Sequence, residues 1–145
     1  MLKRTSTAVW QGDGPKGTGN ISTLSGALKD APYGFNTRFA SEDGKAGTNP
    51  EELLGAAHAS CFTMAVAFGL TGAGKVPTKL ETVATVSMNK QDAGWTIVGI
   101  HLEITGSVPD VSADEFQTFA ETAKKNCPIS RALSATPITM SAKFV

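Results

Sequence analysis

Charged residues are spread along most of this chain but are missing from one stretch. No formally charged side chain occurs between Leu53 and Leu70. Just before that gap, Thr48 or Asn49 can cap a helix, and Pro50 suits the first helical position, where no donor is needed. Glu51 and Glu52 fall in the electropositive first turn. The pattern predicts a helix over 48–70 that is apolar all round and therefore buried. Its length would also serve a membrane span. Gly, Ala, Ser, Thr and His make it less lipid-loving than a Leu- and Ile-rich span, and acidic residues lead straight into it. It reads as a central core helix.

The flanking segments alternate with a shorter period. Residues 3–10 and Gly17–Leu28, joined through Gly12, Gly14 and Pro15, predict an antiparallel hairpin. In PYGFNTRF aromatic and polar residues alternate around Arg38, and SEDGKAGTNP then forms a polar loop into the central helix. Gly72, Gly74 and Pro77 stop that helix. Residues 79–90 and 95–108 read as two long strands, the second with Val98, Ile100, Leu102 and Ile104 on one face and His101 on the other. A second helix is expected from Asp114 to about Asn126, with Ser112 and Glu115 in capping-box spacing and Phe116, Phe119, Ala120 and Ala123 on its inner stripe. Pro128 opens a short third helix. The last run alternates Ile138, Met140, Ala142 and Phe144 and completes a sheet. The expected architecture is α+β, with antiparallel sheets packed around a long buried central helix in a single domain, residues 1–145.

Composition narrows the function. Thirteen basic residues balance thirteen acidic ones, which argues against nucleic acid or an anionic membrane as the main partner. The first residues lack a signal-peptide pattern, so a cytoplasmic location is expected. His58 and His101 are the only histidines, and no metal-ligand spacing is present. Cys61 and Cys127 are then either two buried hydrophobic thiols or a redox pair.

A cysteine turns nucleophilic when positive charge or a helix N-terminus stabilises its thiolate. Cys127, placed before Pro128, can cap the third helix. Cys61 is mid-helix, where backbone amides are already bonded, so its activation needs a side chain delivered by the fold. Arg38 is the leading candidate: Arg4 lies near the chain start and Arg131 beside Cys127. Glu51 or Glu52 could orient the guanidinium. The plainer alternatives are an exposed ion pair for Arg38 and helix-dipole partners for the glutamates.

PYGFNTRF, GTNPEELLGAAHASCFTMA and NCPISRAL together resemble the OsmC branch of the OsmC/Ohr family, osmotically inducible and organic hydroperoxide resistance proteins. The resemblance runs from TAVWQGDGPKGTG to the last strand. It implies an intertwined homodimeric thiol peroxidase that reduces organic hydroperoxides, and hydrogen peroxide less well. By it, Cys61 matches the peroxidatic cysteine, Cys127 the resolving cysteine joined to it in a disulfide, and Arg38 and Glu51 the assisting pair. Related Ohr proteins carry their arginine near the first hairpin, where this chain has Gly12, Asp13 and Gly14, so the role falls to Arg38. The resemblance also implies no bound cofactor or metal, and an external dithiol, a lipoylated protein or similar, as reductant. Two other readings use the same residues: a thiol-disulfide exchanger or redox sensor, and a dimer that binds an apolar ligand with incidental thiols. Glu51 and Cys61 lie ten residues apart, about 15 Å along one continuous helix. A shared site therefore requires Glu51 from a second chain.

Overall fold

A computed structural model describes all residues, Met1–Val145. The chain divides into two compact units, Met1–Leu53 and Leu54–Val145. In the first, β1 (Ser6–Gln11), β2 (Thr18–Thr23) and β3 (Ala31–Tyr33) form an antiparallel sheet in that order. The Trp10 and Tyr33 rings lie 5.5 Å apart, and a Cβ at Gly19 would run into both, so that bare position is what lets them close over the strand. The second strand stops earlier than its composition suggests. At Thr23 the backbone N–H donates to the Leu28 carbonyl at 3.0 Å, closing a loop through Gly26, whose φ is +78°. The run of alternating aromatics is likewise split: Ala31–Tyr33 is strand, and Asn36–Ala40 is one π-helical turn carrying Arg38.

Helix α1 spans Pro50–Gly72 without a break. Asn49 caps it, its Oδ1 accepting from Glu52 N–H at 2.8 Å, while its Nδ2 donates to the Thr37 carbonyl at 3.3 Å. The helix is long and apolar enough to cross a membrane by length and composition. In the structure its inner stripe, Gly55, His58, Phe62, Val66 and Leu70, is buried. Burial all round is not what the single chain shows: Met64 is 60% and Phe68 72% exposed.

The second unit sets α1 against a sheet of β4 (Lys79–Gln91), β5 (Gly94–Ser107) and β6 (Ile138–Phe144). Gly55 packs on Ala84 and Val86, and Thr63 donates to Thr82 Oγ1 at 2.6 Å. Strands β4 and β5 form a long antiparallel hairpin, but β6 runs parallel to β5, so this sheet is mixed rather than antiparallel. The reason lies in the connection. Helices α2 (Ala113–Asn126) and α3 (Pro128–Ala132) carry the chain from the end of β5 back to its start, and a helical crossover returns a strand in the same direction. The capping box at Ser112 and Glu115 is formed as expected. The inner face of β5 differs at one place. The register jumps from Ser87↔Gly99 to Met88↔Ile97, leaving Val98 as an extra residue, and beyond this bulge Ile97 rather than Val98 joins the core.

Candidate active site

The two cysteines meet although 66 residues separate them. The Cys127 thiol donates to Cys61 Sγ at 2.8 Å. Cys61 stands midway along α1, flanked by the buried Phe62, and is partly exposed; Cys127 is fully buried at the turn between α2 and α3. Two local features put Cys127 there. Its backbone N–H closes α2 on the Ala123 carbonyl at 2.8 Å, and Pro128 then starts a new helix in another direction. The expected side-chain cap of α3 by Cys127 is not made; the sulfur turns to Cys61 instead.

The environment of Cys61 works against its ionisation within this one chain. Burial pushes its thiol up, and the neighbouring Cys127 acts in the same direction, while a hydrogen bond from the backbone of Ile129 pulls it partly back. A peroxide-reactive thiolate here needs added positive charge.

One turn of helix from the sulfurs lies a second polar contact. His58 and Ser130 are both buried, and His58 Nε2 is 2.7 Å from Ser130 Oγ. Burial lowers the His58 pKa, so the ring is neutral near pH 7, and its Nδ1 has no partner. Reading the sequence for chemistry passed over this pair. The available signal was its spacing: His58 precedes Cys61 by three residues, and Ser130 follows Cys127 by three.

Arg38 and Glu51 are joined to each other. Arg38 Nη2 donates to Glu51 Oε1 at 2.7 Å, and Nε lies 3.2 Å from both carboxylate oxygens. The guanidinium also lies 5.0 Å from the centre of the Phe39 ring. Glu51 rather than Glu52 is the partner; Glu52 gives its backbone N–H to the Asn49 cap. His101 sits on the outer face of β5, as its register predicts, with Nδ1 2.8 Å from Thr139 Oγ1 and Nε2 3.1 Å from Ser141 Oγ on β6. Those contacts give it a structural task across the parallel pair.

The family described as OsmC-like protein matches residues 42–143. Peroxiredoxin OsmC of Escherichia coli is 47% identical over 134 residues, 92% of each chain. Organic hydroperoxide resistance protein OhrA of Bacillus subtilis is 35% identical over 89 residues, 60% of each chain. Among solved structures, an OsmC-like protein from Mycoplasma pneumoniae superposes with a TM-score of 0.77 at 18% identity, covering 99% of this chain and 98% of that one. An organic hydroperoxide resistance protein from Elizabethkingia anophelis gives 0.74 at 20% identity, covering 100% and 98%. At such identities these two speak for the fold alone. The match over most of the sequence, with its near full-length relatives, makes this chain a member of the OsmC-like protein family.

Proposed function

We propose that this protein is a cysteine-based peroxidase that reduces organic hydroperoxides, and hydrogen peroxide less well, through a Cys61 sulfenic acid and a Cys61–Cys127 disulfide. The observation that carries the reading is the 2.8 Å approach of the chain's only two cysteines. The names of the relatives, a peroxiredoxin and organic hydroperoxide resistance proteins, supply the same class. Cys61 thiolate attacks one peroxide oxygen, the O–O bond breaks, and the alkoxide leaves as an alcohol after taking a proton. The sulfenic acid then condenses with the Cys127 thiol and releases water. The product disulfide is reopened by exchange with an external dithiol, a lipoylated protein or similar, so the cycle calls for no resident cofactor or metal.

The charge that Cys61 needs is assigned to Arg38, with Glu51 as the carboxylate that orients its fork. Helix α1 is continuous, and ten residues at about 1.5 Å rise separate Glu51 from Cys61. The proposed working unit is therefore a homodimer in which the Arg38–Glu51 pair acts at the partner's Cys61. Two features support a second copy. No side chain of Met1–Leu53 is buried in the single chain, and α1 leaves Met64 and Phe68 uncovered. The same proposal makes α1 the core helix of a soluble, cytoplasmic dimer, with no membrane or nucleic acid as partner.

Single cysteine replacements test the division of labour. Cys127→Ser is expected to consume one equivalent of alkyl hydroperoxide to reach a Cys61 sulfenic acid, and a further equivalent for each higher oxidation state, and to stop there without turnover. Cys61→Ser is expected to leave the peroxide untouched. Turnover by Cys61→Ser contradicts the reading, and the opposite behaviour of the two variants reverses the roles.

A further inference from the structure

Besides the backbone hydrogen bond from Ile129 to Cys61, two side-chain rungs connect α1 to the segment that begins at Cys127. One is Cys61 to Cys127 at 2.8 Å, and the other is His58 to Ser130 at 2.7 Å. His58 lies three residues before Cys61 and Ser130 three residues after Cys127, so the segments pass each other in opposite directions, with rungs about 4.5 Å apart along α1. Only the first rung belongs to the proposed peroxide chemistry.

The second has the form of a registry device. Helix α3 is five residues long, too short to hold its own shape. Its apolar anchors, Ile129 and Leu133, are partly buried hydrophobics on the core, a contact with little directional preference. The His58–Ser130 hydrogen bond is directional and buried, and it is the one hydrogen bond the His58 ring makes. Rotation or sliding of α3 would leave both ring nitrogens unsatisfied, a cost that fixes one position.

We propose that His58 and Ser130 are positioning residues for disulfide closure, holding Cys127 within reach of the oxidised Cys61 sulfur. The role deepens the peroxidase reading and rests on it for its oxidant. In the step concerned, the Cys127 sulfur attacks Cys61 sulfenic acid, the S–O bond breaks as the S–S bond forms, and the Cys127 proton leaves with the hydroxyl as water. The sulfenic acid has already taken up the peroxide's oxidising equivalent, so no further oxidant enters. With the rung in place, the reduced protein already has the geometry closure needs. Without it, α3 is held less closely in register before the new bond forms, which lowers the effective concentration of one sulfur at the other.

Two measurements on the full chain test this. In the first, parent, Ser130→Ala, Ser130→Thr and His58→Gln proteins are equilibrated without oxygen in buffers of reduced and oxidised dithiothreitol, and the disulfide fraction is read by intact mass. In the second, reduced proteins are mixed with cumene hydroperoxide and quenched rapidly with dimedone to count sulfenic acid and disulfide separately. Ser130→Ala is expected to lower both the closure equilibrium and the closure rate about tenfold. It should still oxidise at Cys61 at the parent rate and accumulate trapped sulfenic acid. Ser130→Thr keeps the hydroxyl, and His58→Gln keeps an amide that can reach it, so both should close like the parent. A Ser130→Ala protein that closes like the parent overturns the proposal, as does equal impairment of Ser130→Ala and Ser130→Thr. The dithiothreitol arm needs no peroxide. A chain inert to cumene hydroperoxide therefore refutes the peroxidase reading, while the role of the rung is still decided.

Discussion

Arginine and lysine would serve equally at position 38 if the pair with Glu51 were an ordinary surface contact, worth little in solvent. The geometry is more specific than that. Two nitrogens of one guanidinium edge engage the carboxylate, whose side chain is only 12% exposed. Lysine keeps the charge but cannot reproduce the planar fork. We predict that Arg38→Lys loses at least about tenfold in peroxidase rate, with fold and thermal stability little changed; near-normal turnover would reduce Arg38 to a structural ion pair. The need of a buried thiol for a cation, and of a cation for an orienting carboxylate, pointed to Arg38 with Glu51 or Glu52; the family resemblance named Glu51, and it is Glu51 that pairs with Arg38. The His58–Ser130 bond could not be found that way. Neither residue is unusual where it stands, and only the packing of α3 on α1 gives one to the other.

Local pattern was most informative where an element answers to its own neighbours. Helix α1, the capping box of α2 and the proline start of α3 each follow from side chains within one turn. Strand alternation predicted the inner face of β6 and, from Ile100 to Ile104, that of β5. It failed at Val98 because a bulge is set by pairing with β4, which alternation in one strand does not report. The direction of β6 was missed for a related reason: two helices intervene, and their path decides it. Close approach of α2 to the sheet depends on Gly106 of β5, where a Cβ would run into the Phe116 ring. Phe116 also packs on Phe144, with ring centres 5.6 Å apart. Gly106→Ala is therefore predicted to destabilise the fold by about 1–3 kcal/mol, the usual cost of overpacking. Equilibrium urea unfolding checks this, and an unchanged midpoint would mean that the ring moves aside freely.

The complete molecule has more exposed apolar surface than one chain can use. The uncovered Met64 and Phe68 on α1, and a first unit with no buried side chain, are explained if a second copy covers them. The small residues of α1 divide between two tasks in that arrangement. Gly55 is used against Ala84 and Val86 of its own sheet, whereas Ala56 and Ser60 stay exposed. An isologous dimer gives two equivalent sites. Mixing inactive Cys61→Ser with inactive Glu51→Ala under subunit exchange should restore activity, because each heterodimer regains one site with Cys61 and Glu51 both intact. Proven exchange without activity would place Glu51 outside the chemistry or within its own chain. The most direct test of the peroxidase reading needs no variant. Reduced protein is mixed anaerobically with an excess of alkyl hydroperoxide and its intact mass is read after quenching. The predicted product is an intramolecular Cys61–Cys127 disulfide, seen as the loss of two hydrogens; recovery of both thiols unmodified would contradict it.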